Sequence, residues 1–413
     1  MSSLVTVIGA GIAGLTCARE LGRRGVPCRV LERAVTPGGR CATGTFEGVH
    51  VDHGMPLLHA GSREFGRELD ALPEAGRVRG WPVRVRGRRL ADHASAYRGQ
   101  RRMARHEGVQ VLVRHLADAI DVRTGVTVER LEDAGAATRV HAGPADDVAT
   151  PFVVVATELP EALRLVRPLV AGWPGAAAPL AAVAALRWVP TLTVVAGHGP
   201  DAPDPGFDLW HPLETTLLRT LIDESTKRDL NGGRVLVLHA REGFAREHLE
   251  DDDDAWADLL LWEAAEVLGV WAAQPAWRHV HRWPCARLRD GESLGEVVTF
   301  ESAAGACVSL CGDAFADVPG AEGAFLSAWR SPSRSRRFRA CGRCSPAARP
   351  PPPEANDDAA LRRWSAASLG SSPAESYQRG GCAYPYVPRS RSCVRLRQRI
   401  GWMPSACRPL AYS

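Results

Sequence analysis

A mixed α/β fold is predicted for this chain: a parallel-sheet, dinucleotide-type domain interrupted by a second region. Three observations predict it. The apolar run Leu4-Val5-Thr6-Val7-Ile8 leads straight into Gly9-Ala10-Gly11-Ile12-Ala13-Gly14. A second apolar run closes on Glu32, about 20 residues past those glycines, the spacing at which a carboxylate accepts hydrogen bonds from a ribose. Near the other end of the chain, Cys311-Gly312-Asp313-Ala314 precedes Glu322-Gly323-Ala324-Phe325-Leu326. In this order they describe a chain that leaves a dinucleotide, builds another region, and returns to grip the same ligand.

The elements follow from local chemistry. Leu4 to Ile8 is short, apolar and rich in β-branched residues, as a strand buried on both faces should be. Gly9 permits the tight turn, Gly11 lets the backbone approach a pyrophosphate, and Gly14 lets the next helix pack close on the strand. That helix is predicted from Ile12 to Arg24, with Ile12, Leu15, Ala18 and Leu21 on one face, and Gly25 ends it. Its N-terminus, at Ile12 and Ala13, offers unpaired N–H groups and a positive dipole end to phosphates. Cys28 to Leu31 forms the next strand, with Glu32 at its end. Pro151 to Thr157 and Ala306 to Leu310 read as further buried strands.

Pro37-Gly38-Gly39-Arg40 and Val51-Asp52-His53-Gly54 follow the Glu32 strand. With the glycine loop and Glu32, these segments resemble the flavin-containing amine oxidase superfamily, and within it the bacterial renalase-like NAD(P)/FAD-dependent oxidoreductases. The resemblance implies a Rossmann-type domain holding non-covalent FAD, with a second, α+β substrate domain built on an antiparallel sheet. Gly39 and Arg40 would lie over the pyrophosphate, and Asp52, His53 and Gly54 near the isoalloxazine. Arg33 would add to the cofactor contacts, and Val128, in a strand spanning Arg123 to Leu131, would clasp the adenine. Met55-Pro56-Leu57-Leu58 departs from the small polar or aromatic run usual after Asp-His-Gly. Arg278-His279-Val280-His281-Arg282-Trp283 with Ala286 resembles the renalase-like His-Arg-Trp block, and Asp223-Glu224-Ser225-Thr226-Lys227 a Ser-Ser-Lys loop.

At the second flavin segment Gly312 turns the chain. Asp313 can accept from ribityl hydroxyls or phosphate-bound water. Gly320-Ala321-Glu322-Gly323 opens a helix of roughly Gly323 to Trp329, with Gly323 and Ala324 at its start. A helix N-terminus stabilises the charge of a reduced flavin. Residues 1–76, 98–164 and 285–330 are assigned to the FAD-binding domain, and 77–97 and 165–284 to the substrate domain. Tryptophan is plentiful, 12 in all. Trp81, Trp210, His211 and Trp283 are candidates for the pocket, and Lys227, His281, Arg282 and Trp283 for catalysis. His281 and Arg282 could hold an anionic group or form a structural pair.

The expected chemistry is hydride transfer from a nitrogen-bearing small molecule to the flavin, with molecular oxygen as electron acceptor and hydrogen peroxide as product. For the renalase-like group, the resemblance implies dihydronicotinamide isomers as donors. An amine oxidase or desaturase acting on another substrate, a flavoprotein that binds FAD without turnover, and a product that binds no flavin are the alternatives. Amine oxidases often place a lysine near the flavin, and Lys227 is the only lysine beside 50 arginines.

The tail, 331–413, carries 15 arginines against four acids, formal +11 in a chain of +4, which leaves residues 1–330 near −7. Its Pro, Ser and Arg content, without apolar periodicity, predicts disorder. A basic arm and a shifted reading frame of a GC-rich gene both give such a composition, and no nucleic acid is expected as a partner. Cys341-Gly342-Arg343-Cys344 lacks a second pair at zinc spacing. Gly380-Gly381-Cys382 resembles the covalent-FAD segment of monoamine oxidases but follows the second flavin motif instead of preceding it. Asp251 to Asp254 reads as a solvated loop capping a helix from Ala255 to Leu268, and no metal is expected. The first strand begins at Leu4, too soon for a secretory leader. No apolar run reaches membrane-spanning length. Cytoplasmic location is therefore expected.

Overall fold

The computed structural model describes residues 5–87, 101–228, 230 and 233–334. The expectations for the tail beyond residue 334, including Cys341, Cys344 and Cys382, lie outside the described residues, as does part of segment 77–97.

The strand Val5–Ile8 lies inside a six-stranded sheet. The order is Val298–Glu301, Cys307–Leu310, Phe152–Val155, Val5–Ile8, Cys28–Glu32 and Val122–Thr124. All neighbours are parallel except the edge strand Val298–Glu301, which runs antiparallel to Cys307–Leu310. Val5, Val7, Val154 and Cys307 face the helices Ile12–Arg23 and Gly320–Arg334, while Ile8, Val153, Val155 and Val308 face the opposite core with the helix Leu159–Val170. The sheet is covered on both sides, which is why its strands read as continuous apolar runs. Phe325 of the last helix meets Phe65 at 5.2 Å between ring centroids.

The second, six-stranded sheet is built from Trp277–Leu288, Trp188–His198, Arg234–Ala240, Leu218–Asp223, Leu209–Trp210 and Val85–Arg86, antiparallel but for the last pair. Strand alternation gives it two distinct faces. Leu192, Val194, Ala196, Leu236 and Leu238 pack on the helix Asp253–Leu268 through Trp256, Leu260 and Leu261. Val195, Val235, Val237 and Ile222 point the other way, with Val51, Leu57 and Trp81. We call this second side the inner face. The helix Asp253–Leu268 is capped by Asp252, whose carboxylate accepts the N–H groups of Asp254 and Ala255.

Two local expectations differ from the structure. The segment Arg123 to Leu131 is two strands, Val122–Thr124 and Arg130–Asp133, because Gly125 takes a φ of +71° and breaks the run. The last helix begins at Gly320, three residues early, and continues to Arg334. Gly323 therefore sits inside the first turn, where its Cα passes so close to the Val318 carbonyl that a Cβ would lie 1.7 Å from it.

Candidate active site

The glycine loop is built as its residues require. Gly9 has a φ of +101° and presses on the Ala156 backbone, and a Cβ on Gly14 would lie 1.9 Å from the Gly9 carbonyl oxygen. Gly11, by contrast, has no heavy atom within 4 Å of its Cβ position, so the space above it is open. It is also the N-cap of Ile12–Arg23 and makes no side-chain cap, leaving the first N–H groups of that helix free for a ligand. Glu32 accepts the Ala10 N–H at 2.7 Å and the Ala34 N–H at 2.9 Å, which fixes its carboxylate beside the loop.

Four segments distant in sequence form a continuous line from this loop to the inner face. Gly39 lies against Gly11, with 3.9 Å from its Cβ position to the Gly11 Cα. Arg40 makes a forked ion pair with Asp313, at 2.9 and 2.7 Å, and its guanidinium lies over Trp188. The Arg40 carbonyl abuts Gly54, where a Cβ would stand 2.7 Å from it and 3.2 Å from the Trp283 ring. Trp283 then stacks with His53 at 5.4 Å and tilts against His281 at 4.1 Å.

His53 also meets His281 edge-on at 5.1 Å, and its carbonyl is 3.2 Å from His239 Nε2. His239 and His281 flank Thr193 in register across three strands, so all three share the inner face. Burial pushes the imidazole of His53 down, and those of His239 and His281 down to about 4, so the cluster is neutral at pH 7. Thr193 Oγ1 and Trp283 Nε1 are buried here without a hydrogen-bond partner among the described residues. Such orphaned groups are costly unless something pairs with them. Together with the open space at Gly11, they fit a planar, polar-edged group lying along this line.

Beside the cluster is a buried set of four charges. Lys227 donates to Asp52 Oδ2 at 3.0 Å, to Glu224 Oε1 at 2.5 Å and to the Pro56 carbonyl at 2.5 Å, with Trp81 4.4 Å away under its ammonium. Arg228 donates to Glu224 at 2.9 Å and to Asp52 at 3.3 Å. Asp52 further accepts from Thr43 and the Val109 N–H. Burial raises both carboxyls. At Asp52 the two cations outweigh it and hold the group below its usual range, whereas at Glu224 burial prevails and the group is pushed up.

Not all of the other expected site residues lie on this face. Arg282 pairs in register with Leu192, on the helix side of the sheet, and binds Asp253 and the Leu249 and Asp251 carbonyls. It is adjacent to His281 in sequence, but the strand period of two sends the two side chains to opposite faces, so the structure corrects the expectation of a shared anion site. Trp210 is likewise packed in the helix-side core, whereas Trp81 lies on the inner side. His211 bonds to Thr220. The carboxylate of Glu322 accepts the Gly61 and Ser62 N–H groups at 3.1 and 2.5 Å, which leaves the helix backbone, not this side chain, to face a ligand. Arg33 pairs with Glu158 at 3.0 Å, and Arg164 takes the Val128 carbonyl at 3.0 Å. Glu224, Arg228, Thr193 and His239 were not expected. The resemblance of Asp223 to Lys227 to a Ser-Ser-Lys loop gave Glu224 no role of its own and did not reach Arg228, and the last two are single polar residues in apolar strands.

The chain belongs to the flavin containing amine oxidoreductase family, whose model matches residues 86–331, and a NAD(P)-binding Rossmann-like domain model matches residues 7–72. The family is one of flavin-containing oxidoreductases. The hydroxyneurosporene desaturase of Rubrivivax gelatinosus is 46% identical over 54 residues, which spans 13% of this chain and only 10% of the desaturase. The fold is shared with putrescine oxidase bound to putrescine (TM-score 0.60, 14% identity, 81% of this chain and 98% of that one). Cyclohexylamine oxidase from Brevibacterium oxydans IH-35A has a TM-score of 0.56 and 14% identity over the same shares. An oxidoreductase from Methanosarcina mazei has a TM-score of 0.59 and 13% identity, covering 80% of this chain and all of that one (100%). Among the described residues, no helix is long and apolar enough to cross a membrane.

Proposed function

We propose that this chain is an FAD-dependent oxidase of the renalase-like type, taking hydride from a small, uncharged, nitrogen-bearing ring, with dihydronicotinamide isomers as the donor class. Its FAD is held non-covalently by the glycine loop, Glu32, Arg40 and the turn at Gly312 and Asp313. When bound, the flavin supplies the hydride acceptor and the route of electrons to oxygen. The balance is one hydride from the donor and one proton from solvent per oxygen, giving a nicotinamide cation and hydrogen peroxide.

The observation that carries this reading is the state of Lys227. An ammonium has three N–H donors, and here all three are committed to Asp52, Glu224 and the Pro56 carbonyl. The only lysine is therefore unavailable to hold water or shuttle a proton at the flavin, as an amine oxidase of the lysine-bearing kind would require. The protein's part is orientation and exclusion of water. Trp283 and His281 offer ring faces to a flat donor, and neutral imidazoles with the Thr193 hydroxyl offer hydrogen bonds to its edge. An ammonium substrate gains little from neutral groups.

The purified full chain should be yellow, and denaturation should release the colour into the supernatant. Anaerobic mixing with dihydronicotinamide isomers should bleach the flavin, and air should restore it with formation of peroxide. Bleaching by primary amines alone would assign an amine oxidase instead. A protein that stays colourless with added FAD would refute the flavin site.

A further inference from the structure

Three side chains from one short turn grip the segment 50–56 on both sides of His53 and Gly54. Arg228 donates to the His50 carbonyl. Glu224 accepts the Asp52 N–H at 3.2 Å, and Lys227 and Arg228 both reach the Asp52 carboxylate. Lys227 then takes the Pro56 carbonyl at 2.5 Å. None of these contacts falls on His53 or Gly54. Those two residues instead meet the inner face, His53 against His281 and Trp283, Gly54 beneath Trp283.

The energetics argue against a purely stabilising role. Four charges are held at side-chain exposures of 0 to 6%. Replacing such a buried set with well-packed apolar residues is often neutral or favourable, whereas directed hydrogen bonds fix one geometry that apolar packing leaves loose. The grips also sit at separate points along seven residues, so they fix both the position and the register of the segment.

We propose that Glu224, Lys227 and Arg228 are positioning residues that hold His53 and Gly54 against the inner face of the antiparallel sheet. This rests on the reading of that face as the wall of the donor site, and it assigns to the charged turn a role that the motif residues themselves do not show.

The test is the double variant Glu224→Gln/Lys227→Met of the full chain, which removes one charge of each sign and leaves the Asp52–Arg228 pair. Two readouts are needed. In histidine-labelled protein without flavin, the His53 ring signals, assigned with His53→Gln, should move and broaden while thermal unfolding stays cooperative. In FAD-loaded protein, flavin reduction by the donor should slow on the order of a hundredfold, as a misplacement of about 1 Å does, with KM nearly unchanged. Should the double variant fail to fold, Arg228→Lys, which keeps the charge and loses the fork, takes the same two readouts. His53 signals that stay in place in a folded variant overturn the proposal. Signals that move in the variant when the parent itself takes up no FAD leave the positioning role standing and remove the flavin reading.

Discussion

Gly11 and Gly14 lie three residues apart in one loop, yet alanine should act on them through different physics. At Gly14 the new methyl would sit 1.9 Å from the Gly9 carbonyl oxygen and 3.3 Å from the Ala156 Cβ. Ordinary contact needs about 3.4 Å, so the helix Ile12–Arg23 must retreat by ~1.5 Å from a sheet it packs on. Both parts of the main clash are backbone, which places the cost near the top of the overpacking range, about 3 kcal/mol. At about 2 °C per kcal/mol for a chain of this size, Gly14→Ala should lower the melting temperature by ~6 °C even without flavin. At Gly11 the methyl meets nothing within 4 Å, and the backbone φ of −79° suits any residue. Gly11→Ala should therefore melt within about 2 °C of the parent. It should nonetheless bind FAD at least ~10-fold more weakly, about 1.4 kcal/mol, because the methyl stands where the pyrophosphate would approach. Fluorescence titration of each apoprotein with FAD, beside its melting curve, separates the two effects. Gly11→Ala binding FAD as tightly as the parent would refute the placement of the pyrophosphate over this turn.

Three further outcomes are expected. Glu32→Ala should weaken FAD on the order of tenfold, since it removes both the ribose acceptor and the anchor of the Ala10 N–H; unchanged affinity would place the ribose elsewhere. Arg282→Ala should lower the melting temperature and leave KM for the donor unchanged, because this guanidinium ties the Leu249–Asp253 loop on the far side of the sheet; a raised KM would return Arg282 to the pocket. Burial, with Arg234 beside it, pushes His198 down to about 4. The unfolded chain then binds the extra proton between about pH 6.5 and 4, so stability is lost on acidification through that window. The parent should lose up to about 1.4 kcal/mol per pH unit more than His198→Asn there, and parallel slopes in urea unfolding would show that His198 charges without penalty.

The parallel sheet was legible because its signals are local. The apolar runs at Val5–Ile8, Phe152–Val155 and Cys307–Leu310 needed no knowledge of their partners, and the glycines at 9, 11 and 14 carry their turn in their own backbone. The inner face was legible only in part. His281 and Trp283 share a face by strand alternation, but placing Arg282 with them ignored that same period. Thr193 and His239 join them only through the register of three strands, which no single segment encodes. The charged turn was the least legible. Asp223 to Arg228 has the composition of a solvated loop, and nothing in it marks Glu224, Lys227 and Arg228 as buried. Their partners, Asp52 and Pro56, lie more than 160 residues away.

The committed state of Lys227 has a chemical consequence outside the reaction itself. Aldehydes and activated acyl groups attack exposed lysine side chains, and bifunctional ones cross-link proteins through them. The single lysine of this chain is 1% exposed and already bonded, so its surface presents arginines and no lysine amine to such electrophiles. Glutaraldehyde or an activated ester should consequently leave the folded protein free of lysine adducts and should modify Lys227 only once the chain has been unfolded.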